Sequence, residues 1–523
     1  MAILESVMQW IVLLLFLFAA GVVLRYFTHM LQLSSYQFQG YFRFLSSEPV
    51  RWLPLIFVFV AAGAVLLDYK KVGFLFGIVY LCALLFYYWP RKVKKKFVAT
   101  SRAKRLFATM GVLWVLIFAV AYVWAPAEGE ILIPAVAFAL HPLLLALANL
   151  INQPVEKAVR SYYIEDAKRI LREHPDLTVI GITGSFGKTS VKYYLTSLLA
   201  EGFRVLMTPE SYNTPMGIVK TIRGDLQATH QIFVCEMGAR HVGDIREICE
   251  IVHPDHGLIT SIGYQHLETF HSLENIIGTK YELLDEVAHN GRNGYKFVNG
   301  DCQVIAENMK YPDAITYGLG ETNDYHGVVL EVSKNGTVFA VTNPAGETEE
   351  FRMKLLGRHN AENVIGAIAV ANTLGIPMRR LKAAVRRLEG VPHRLQLIPK
   401  GNVTVIDDAY NANPEGTKAA LETLALFQAC KILVTPGMVE LGERQDEENE
   451  KFGRSAAAVC DYIILVGERT TRSIRKGVLE AGFVPEKLIM AQNLAEAVKT
   501  MYEIESGREK VILLENDLPD NYT

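Results

Sequence analysis

The sequence predicts an α-helical membrane domain followed by an α/β part of two lobes: a P-loop-type central domain and a C-terminal doubly wound, Rossmann-like domain. Three observations predict it. Apolar runs crowd the chain up to about residue 152; a strand, a glycine-rich turn and a helix follow one another between Thr178 and Ala200; and strand and helix patterns alternate from Val403 onward. At 523 residues the chain exceeds one ordinary core, and the expected boundaries are 1–152, 153–392 and 393–523.

The apolar runs lie near Val7–Leu24, Trp52–Leu67, Val72–Trp89, Phe107–Trp124 and Ile131–Leu150. Each approaches the roughly 20 residues that cross a bilayer as helix, so five spans are expected. Eight Lys or Arg residues and no acid fall between Arg91 and Arg105, whereas Pro126–Glu130 carries only Glu128 and Glu130. The positive-inside tendency puts the basic loop and everything after Pro154 on the cytoplasmic side of a multi-pass cell-membrane protein. Six cysteines without a C-x-x-C pair or a zinc-type spacing agree with a reducing compartment. The basic run also suits contact with lipid headgroups, and His141 and Asn149 fit either a substrate groove or a packed, hydrogen-bonded interior.

After Pro154, apolar residues at helical spacing from Val155 to Glu173 predict a linker helix that stops before Pro175. Thr178–Thr183 reads as a buried strand, Gly184-Ser185-Phe186-Gly187-Lys188-Thr189-Ser190 as a turn and Val191–Ala200 as a helix. Glycines let backbone N–H groups close around phosphate and the helix start adds positive potential. Lys188 neutralises outer phosphates and Thr189 can hold magnesium, which makes this an ATPase-type domain. The strict G-x-x-x-x-G-K spacing is not met, because Ile182 stands at its first glycine. Asn335-Gly336 and Asn343-Pro344-Ala345-Gly346 break an alternating stretch over Leu330–Arg352, predicting a small β insertion. Further strands are expected at Val403–Ile406, Ile432–Thr435, Tyr462–Val466 and Lys510–Leu514.

Taken singly, Glu236 fits a loop cap, His266 a hydrogen-bonded core histidine and Lys280 a solvated helix face. Their order along the chain argues otherwise. Thr183–Ser190, Glu236-Met237-Gly238-Ala239, Gly243-Asp244-Ile245, His266-Leu267-Glu268, Lys280, Gly357–Asn363, His393-Arg394-Leu395 and Asp407-Asp408-Ala409-Tyr410-Asn411-Ala412-Asn413-Pro414 follow one another as in the Mur ligases. Over roughly residues 178–500 the chain resembles that family, most of all its D-alanyl-D-alanine-adding branch, and it has no D-N-P-R signature.

The resemblance implies an ATP-dependent amide ligase of peptidoglycan-precursor synthesis, working through an acyl phosphate with ATP and two magnesium ions. It implies catalytic roles for Lys188, Lys280, His266 and Arg394, and nucleotide contacts from Gly184, Ser185, Gly187, Lys188, Thr189, Ser190, Asn360, Asn363, Arg394 and Asp407. Metal ligation falls to Thr189, Glu236, His266 and a carbamylated Lys280, and the amine substrate to Tyr410, Asn411 and Asn413.

Two departures bear on the substrates. Membrane spans stand where the family has a UDP-sugar-binding domain, and Glu515-Asn516-Asp517-Leu518-Pro519-Asp520 stands where relatives have Lys-Gly-Ser. A UDP-linked or a lipid-linked precursor, a D-Ala-D-Ala-like or another amine, and membrane lipid are therefore the expected partners. A poly-γ-glutamate-like polymer is the alternative substrate, a nucleotide-switched transporter or scaffold the competing function, and no nucleic-acid partner is expected. Oligomeric state is not legible.

Overall fold

The computed structural model describes residues 2–47, 55, 58–59, 62–63, 70–89, 96–124, 129–333, 335–410 and 412–516. Most of the expected span Trp52–Leu67, the first five residues of the basic run, positions 126–128, Asn411 and positions 517–520 lie outside the described residues. Contacts divide the chain into one unit through Ser161 and another from Tyr162 on.

The first unit is helical, with helices Ala2–Leu33, Phe38–Ser47, Lys70–Tyr88, Ser101–Trp124, Gly129–Ala139 and His141–Arg172. Phe27, Tyr41, Phe138 and Leu145 fill its interior, while Trp10, Leu14, Val115 and Val123 point outward. Among the described residues two helices, Leu13–Leu33 and Ser101–Val123, are long and apolar enough to cross a membrane. A third counts if Leu132–Ala139 and His141–Arg172, bent by 77°, form one broken span. Of the five expected spans, Trp52–Leu67 falls largely outside the described residues; among those described, two or three remain, because Leu75–Tyr88 is short and the last apolar run breaks before His141. The linker helix is not separate. It continues the helix from His141 through Pro154, and the contact boundary falls at Ser161/Tyr162 rather than at 152/153.

The second unit holds two sheets. The first contains β1 (Thr178–Thr183), β2 (Val205–Met207), β3 (Ile232–Glu236), β4 (His256–Ile259), β5 (Lys296–Asn299), β6 (Ile315–Gly318), β7 (Tyr325–Ser333), β8 (Gly336–Thr342) and β9 (Thr348–Met353). Their order is β2-β3-β1-β4-β5-β6-β7-β8-β9, parallel as far as β7 and antiparallel beyond it. Apolar side chains cover both faces. Ile180, Ile182 and Val234 meet helices Lys188–Leu199 and Arg358–Thr373, whereas Val179, Phe233 and Cys235 meet Pro215–Asp225, Asp244–Val252 and Leu273–His289. The expected β insertion is the β7–β9 meander, and it extends the main sheet instead of standing apart.

The second sheet runs β10-β11-β15-β12-β13-β14, with β10 (Gln396–Lys400), β11 (Val403–Asp408), β12 (Cys430–Thr435), β13 (Tyr462–Val466), β14 (Leu488–Ala491) and β15 (Lys510–Glu515). All pairs are parallel except β10 with β11. Leu433 and Leu513 pack on one face, Ile432 and Ile512 on the other, so this sheet too is covered twice. Helices Gln445–Val459 and Glu468–Glu480 approach closely where a Cβ on Gly477 would lie 2.1 Å from the Glu450 carbonyl oxygen and one on Gly453 2.3 Å from that of Ile474. Gly477→Val should force them apart and cost ~1–3 kcal/mol, read as a lowered thermal midpoint of the intact chain; an unchanged midpoint contradicts this packing.

Asp408 and Glu515 are register partners on adjacent parallel strands and so share a face of the sheet. Glu515 is fully buried. Burial raises both carboxyls above the usual range, Arg394 opposing it at each; Asp408 raises Glu515 further, whereas Asp408 is itself held down by Glu515 and pushed up by the charge of Asp407. A carboxyl raised in the folded state stabilises at low pH and loses that contribution as pH climbs through its folded value. Thermal stability should therefore fall as pH rises from about 4 through about 6, where Asp408 titrates in the folded protein, and further as Glu515 ionises, and Glu515→Gln should flatten the slope; an equal slope in the variant rules the pair out as its source.

Candidate functional site

In a parallel sheet the loops at the carboxyl ends of the central strands share one crevice. Here the loops after β1, β3 and β4, which are neighbours in the sheet, build the site. After β1, Gly184 takes φ +153 and Gly187 φ +80, both in the region that favours glycine. Neither has room for a side chain. A Cβ on Gly184 would meet Thr260 Oγ1 at 2.1 Å, and one on Gly187 would meet Asn363 Oδ1 at 2.7 Å. The loop after β4 cradles the turn: Ser185 N–H donates to the Ser261 carbonyl (2.8 Å), Phe186 N–H to Ser261 Oγ (2.9 Å) and Gly263 N–H to Ser185 Oγ (2.9 Å).

Lys188 opens the helix that follows, and its Nζ donates to the carbonyls of Gly184 (2.5 Å) and Ser185 (3.1 Å). The ammonium is thereby held over the loop. Burial pulls it down to about 8, partly opposed by Glu236. Thr189 Oγ1 donates to Glu236 Oε1 (3.1 Å), as does Asn213 Nδ2 (3.1 Å), and Lys192 Nζ pairs with Glu236 Oε2 at 3.0 Å. Lys192 and Glu236 are both buried.

His266, at φ +54, sets its Nδ1 2.6 Å from Oε2 of Glu440 in the C-terminal lobe. Burial lowers the imidazole's pKa; the carboxylate pulls the other way. Lys280 lies on helix Leu273–His289 and is 3 % exposed, not on a solvated face. Its ammonium has no hydrogen bond or ion pair among the described residues. Burial first, then the charge of Lys188, push it well below the ordinary lysine range, against the pull of Asp244 and Glu282. Electrostatic reach thus ties Glu236, His266, Lys280 and Arg394 to one ammonium, that of Lys188.

From the C-terminal lobe, the Arg394 guanidinium stacks 4.1 Å over the Tyr410 ring, and His393 Nδ1 lies 2.8 Å from Asp407 Oδ2. Three further contacts join the lobes beside the phosphate loop. His266 meets Glu440, Arg444 stacks 4.1 Å over Tyr264, and Glu415 lies so near Gly263 that a Cβ there would stand 2.8 Å from its Oε1.

Some expected residues do other work. Asn360 spends both ends of its amide inside the lobe, accepting from Tyr194 (3.0 Å) and donating to Leu356 (2.8 Å), whereas Asn363 abuts the turn. Asn413 caps helix Pro414–Ala425 by accepting from Gly416 N–H (2.8 Å), and Ser185 is used within the loop. Ser190 is buried one turn before Tyr194. Sequence reading gave no role to Lys192, Asn213 or Glu440. Lys192 was within reach, since it lies one helical turn after Lys188 on the same face. Glu440 falls in a stretch, Gly437–Gly442, that is near the family pattern; nothing local marks Asn213.

Among the described residues no three His, Cys, Asp or Glu side chains gather as a metal site. Thr189 and Glu236 offer one hydroxyl and one carboxylate. That sparse oxygen set suits magnesium, which keeps several waters and is held largely by substrate phosphates.

The Mur ligase middle domain matches residues 182–371 and the Mur ligase glutamate ligase domain matches residues 393–515. The chain is 34% identical over 311 residues to the UDP-N-acetylmuramoyl-tripeptide--D-alanyl-D-alanine ligase of Mycobacterium tuberculosis, covering 57% of this chain and 59% of that protein. It therefore spans less than two thirds of that relative. To the Escherichia coli ligase of the same name it is 28% identical, over 62% of this chain and 73% of that one. Among solved structures, MurF from Acinetobacter baumannii superposes with TM-score 0.62 at 27% identity, covering 68% of this chain and 77% of that one. MurF from Thermotoga maritima in complex with ADP gives 0.60 at 26%, covering 68% and 80%. The two matched domains take up more than half of the sequence, and the chain belongs to the Mur ligase family.

Proposed function

We propose that the chain is an ATP-dependent amide ligase that joins D-Ala-D-Ala, or an amine like it, to the peptide of a peptidoglycan precursor. One observation carries the proposal: Lys188 is held over the glycine turn beside the Thr189–Glu236 contact and the His266–Glu440 contact between the lobes, with Lys280 and Arg394 within electrostatic reach of it. The names of the relatives and the ADP complex of the Thermotoga maritima protein support it.

The donor carboxylate oxygen attacks the γ-phosphorus of ATP and ADP leaves; the amine nitrogen then attacks the acyl-phosphate carbon, sheds a proton and displaces phosphate. Loop N–H groups, Lys188 and Arg394 hold the polyphosphate and oppose charge as it shifts in the transition state. Thr189 and Glu236 would hold magnesium, which supplies Lewis-acid neutralisation of the phosphate oxygens. Glu440 fixes the ring of His266 from across the lobe junction. The two helices long and apolar enough to cross a membrane suit an enzyme held at a membrane, and through it a lipid-linked precursor as the donor.

The detergent-solubilised protein should release ADP and phosphate only when a carboxyl donor and an amine are both present, with a product whose mass is the sum of the two less water. Lys188→Ala should lower turnover at least ~100-fold. Release that ignores either substrate contradicts the ligase.

Lys280 is the carbamate site in this proposal. An amine kept neutral by burial adds CO2 at nitrogen and loses a proton, becoming an anionic oxygen ligand instead of a cation that repels the metal. Lys280→Ala should lose activity, and short carboxylic acids should restore part of it; wild-type rates in the variant would remove the carbamate and leave the ligase standing.

A further inference from the structure

The helical unit carries a polar seam that the ligase does not use. Arg102, Arg105 and Thr109 on helix Ser101–Trp124 face Asn149, Glu156 and Asn152 on helix His141–Arg172: Arg102 Nη2 donates to Asn149 Oδ1 (3.3 Å), Arg105 to both Glu156 oxygens (2.7 and 2.9 Å) and Thr109 Oγ1 to Asn152 Oδ1 (2.9 Å). Asn149 Nδ2 donates to the Tyr36 carbonyl (3.1 Å), and the Tyr36 ring lies 4.0 Å beneath the Arg102 guanidinium.

Two donors in this seam are buried and unanswered. Arg102 Nε is 4.0 Å from Glu156 and, among the described residues, hydrogen-bonds nothing; Asn152 Nδ2, in a residue 8 % exposed, has no partner among them either. A buried N–H left unpaired is destabilising, so such a pair asks for an acceptor. About a third of each arginine side chain (32% and 33%) remains exposed, which leaves a way in.

The seam also has a depth. Arg102 and Arg105 occupy the first turns of the apolar helix Ser101–Val123, the end of a span where headgroups lie, with Lys104 beside them. We propose that Arg102, Arg105 and Asn152 bind the phosphate of a membrane lipid, with the lipid chain lying along the apolar helix faces. Guanidinium and amide donors match phosphate oxygens, and charge-assisted bonds are the strong kind. The inference rests on the helical unit alone and needs no ligase activity.

The full-length protein in phosphatidylcholine nanodiscs, without ATP, should bind farnesyl pyrophosphate about tenfold or more tighter than inorganic pyrophosphate, with phosphatidylglycerol-doped discs competing. Arg102→Gln and Asn152→Leu should each weaken binding about tenfold while the thermal midpoint holds. If either variant fails to fold, Arg102→Lys and Asn152→Asp take its place; each lacks a donor and should show the same loss. No binding, equal affinity for inorganic pyrophosphate, or well-folded variants that bind like wild type would each overturn the proposal. Donor-dependent ADP release, measured on the same preparations, separates failure here from failure of the ligase.

Discussion

The site is organised by a buried charge that has to be answered. Glu236 ends β3 with almost no exposure, and Lys192, Thr189 and Asn213 answer it from three directions. Removing one partner of such a pair leaves an uncompensated charge and costs ~3–5 kcal/mol, far more than a surface pair contributes. The ion pair therefore locks the helix after the phosphate loop to the strand beside it, and so fixes Lys188 one turn away. Lys280 is the counterpart, a buried amine that pairs with no carboxylate among the described residues and feels Asp244 and Glu282 only electrostatically.

What the sequence made legible was what local chemistry dictates. The strand, glycine turn and helix at Thr178–Ala200 could be read directly, because positive φ at Gly184 and Gly187 and close contacts at both leave no other residue possible. Residues expected from family order, namely Glu236, His266 and Lys280, lie within electrostatic reach of Lys188, with His266 engaged by Glu440 and Glu236 by Lys192. Those pairings were illegible. They span 174 residues in one case and join a helix to a distant strand in the other, and neither pairing has a local pattern.

Other misses have similar causes. β10 contains Pro399 and β14 is four residues long; both are edge strands, whose weak pattern gives sequence reading little to hold. Asn360 and Asn413 sit in family-like segments, yet hydrogen bonding spends them on a helix contact and a helix cap. Hydropathy finds apolar length but not bends, so Ile131–Leu150 read as one span while the chain turns by 77° within it.

The segment from Thr260 to His266 has a consequence of its own. One side of it props the phosphate turn through Ser261 and Gly263, and the other touches Glu415, Glu440 and Arg444. Under the proposed ligase activity, a shift of this single strip would reach the phosphate turn and the C-terminal lobe together. Occupancy at either would then be felt at the other with equal and reciprocal coupling, so the proposed nucleotide and amine would help or hinder each other's affinity rather than load as independent events.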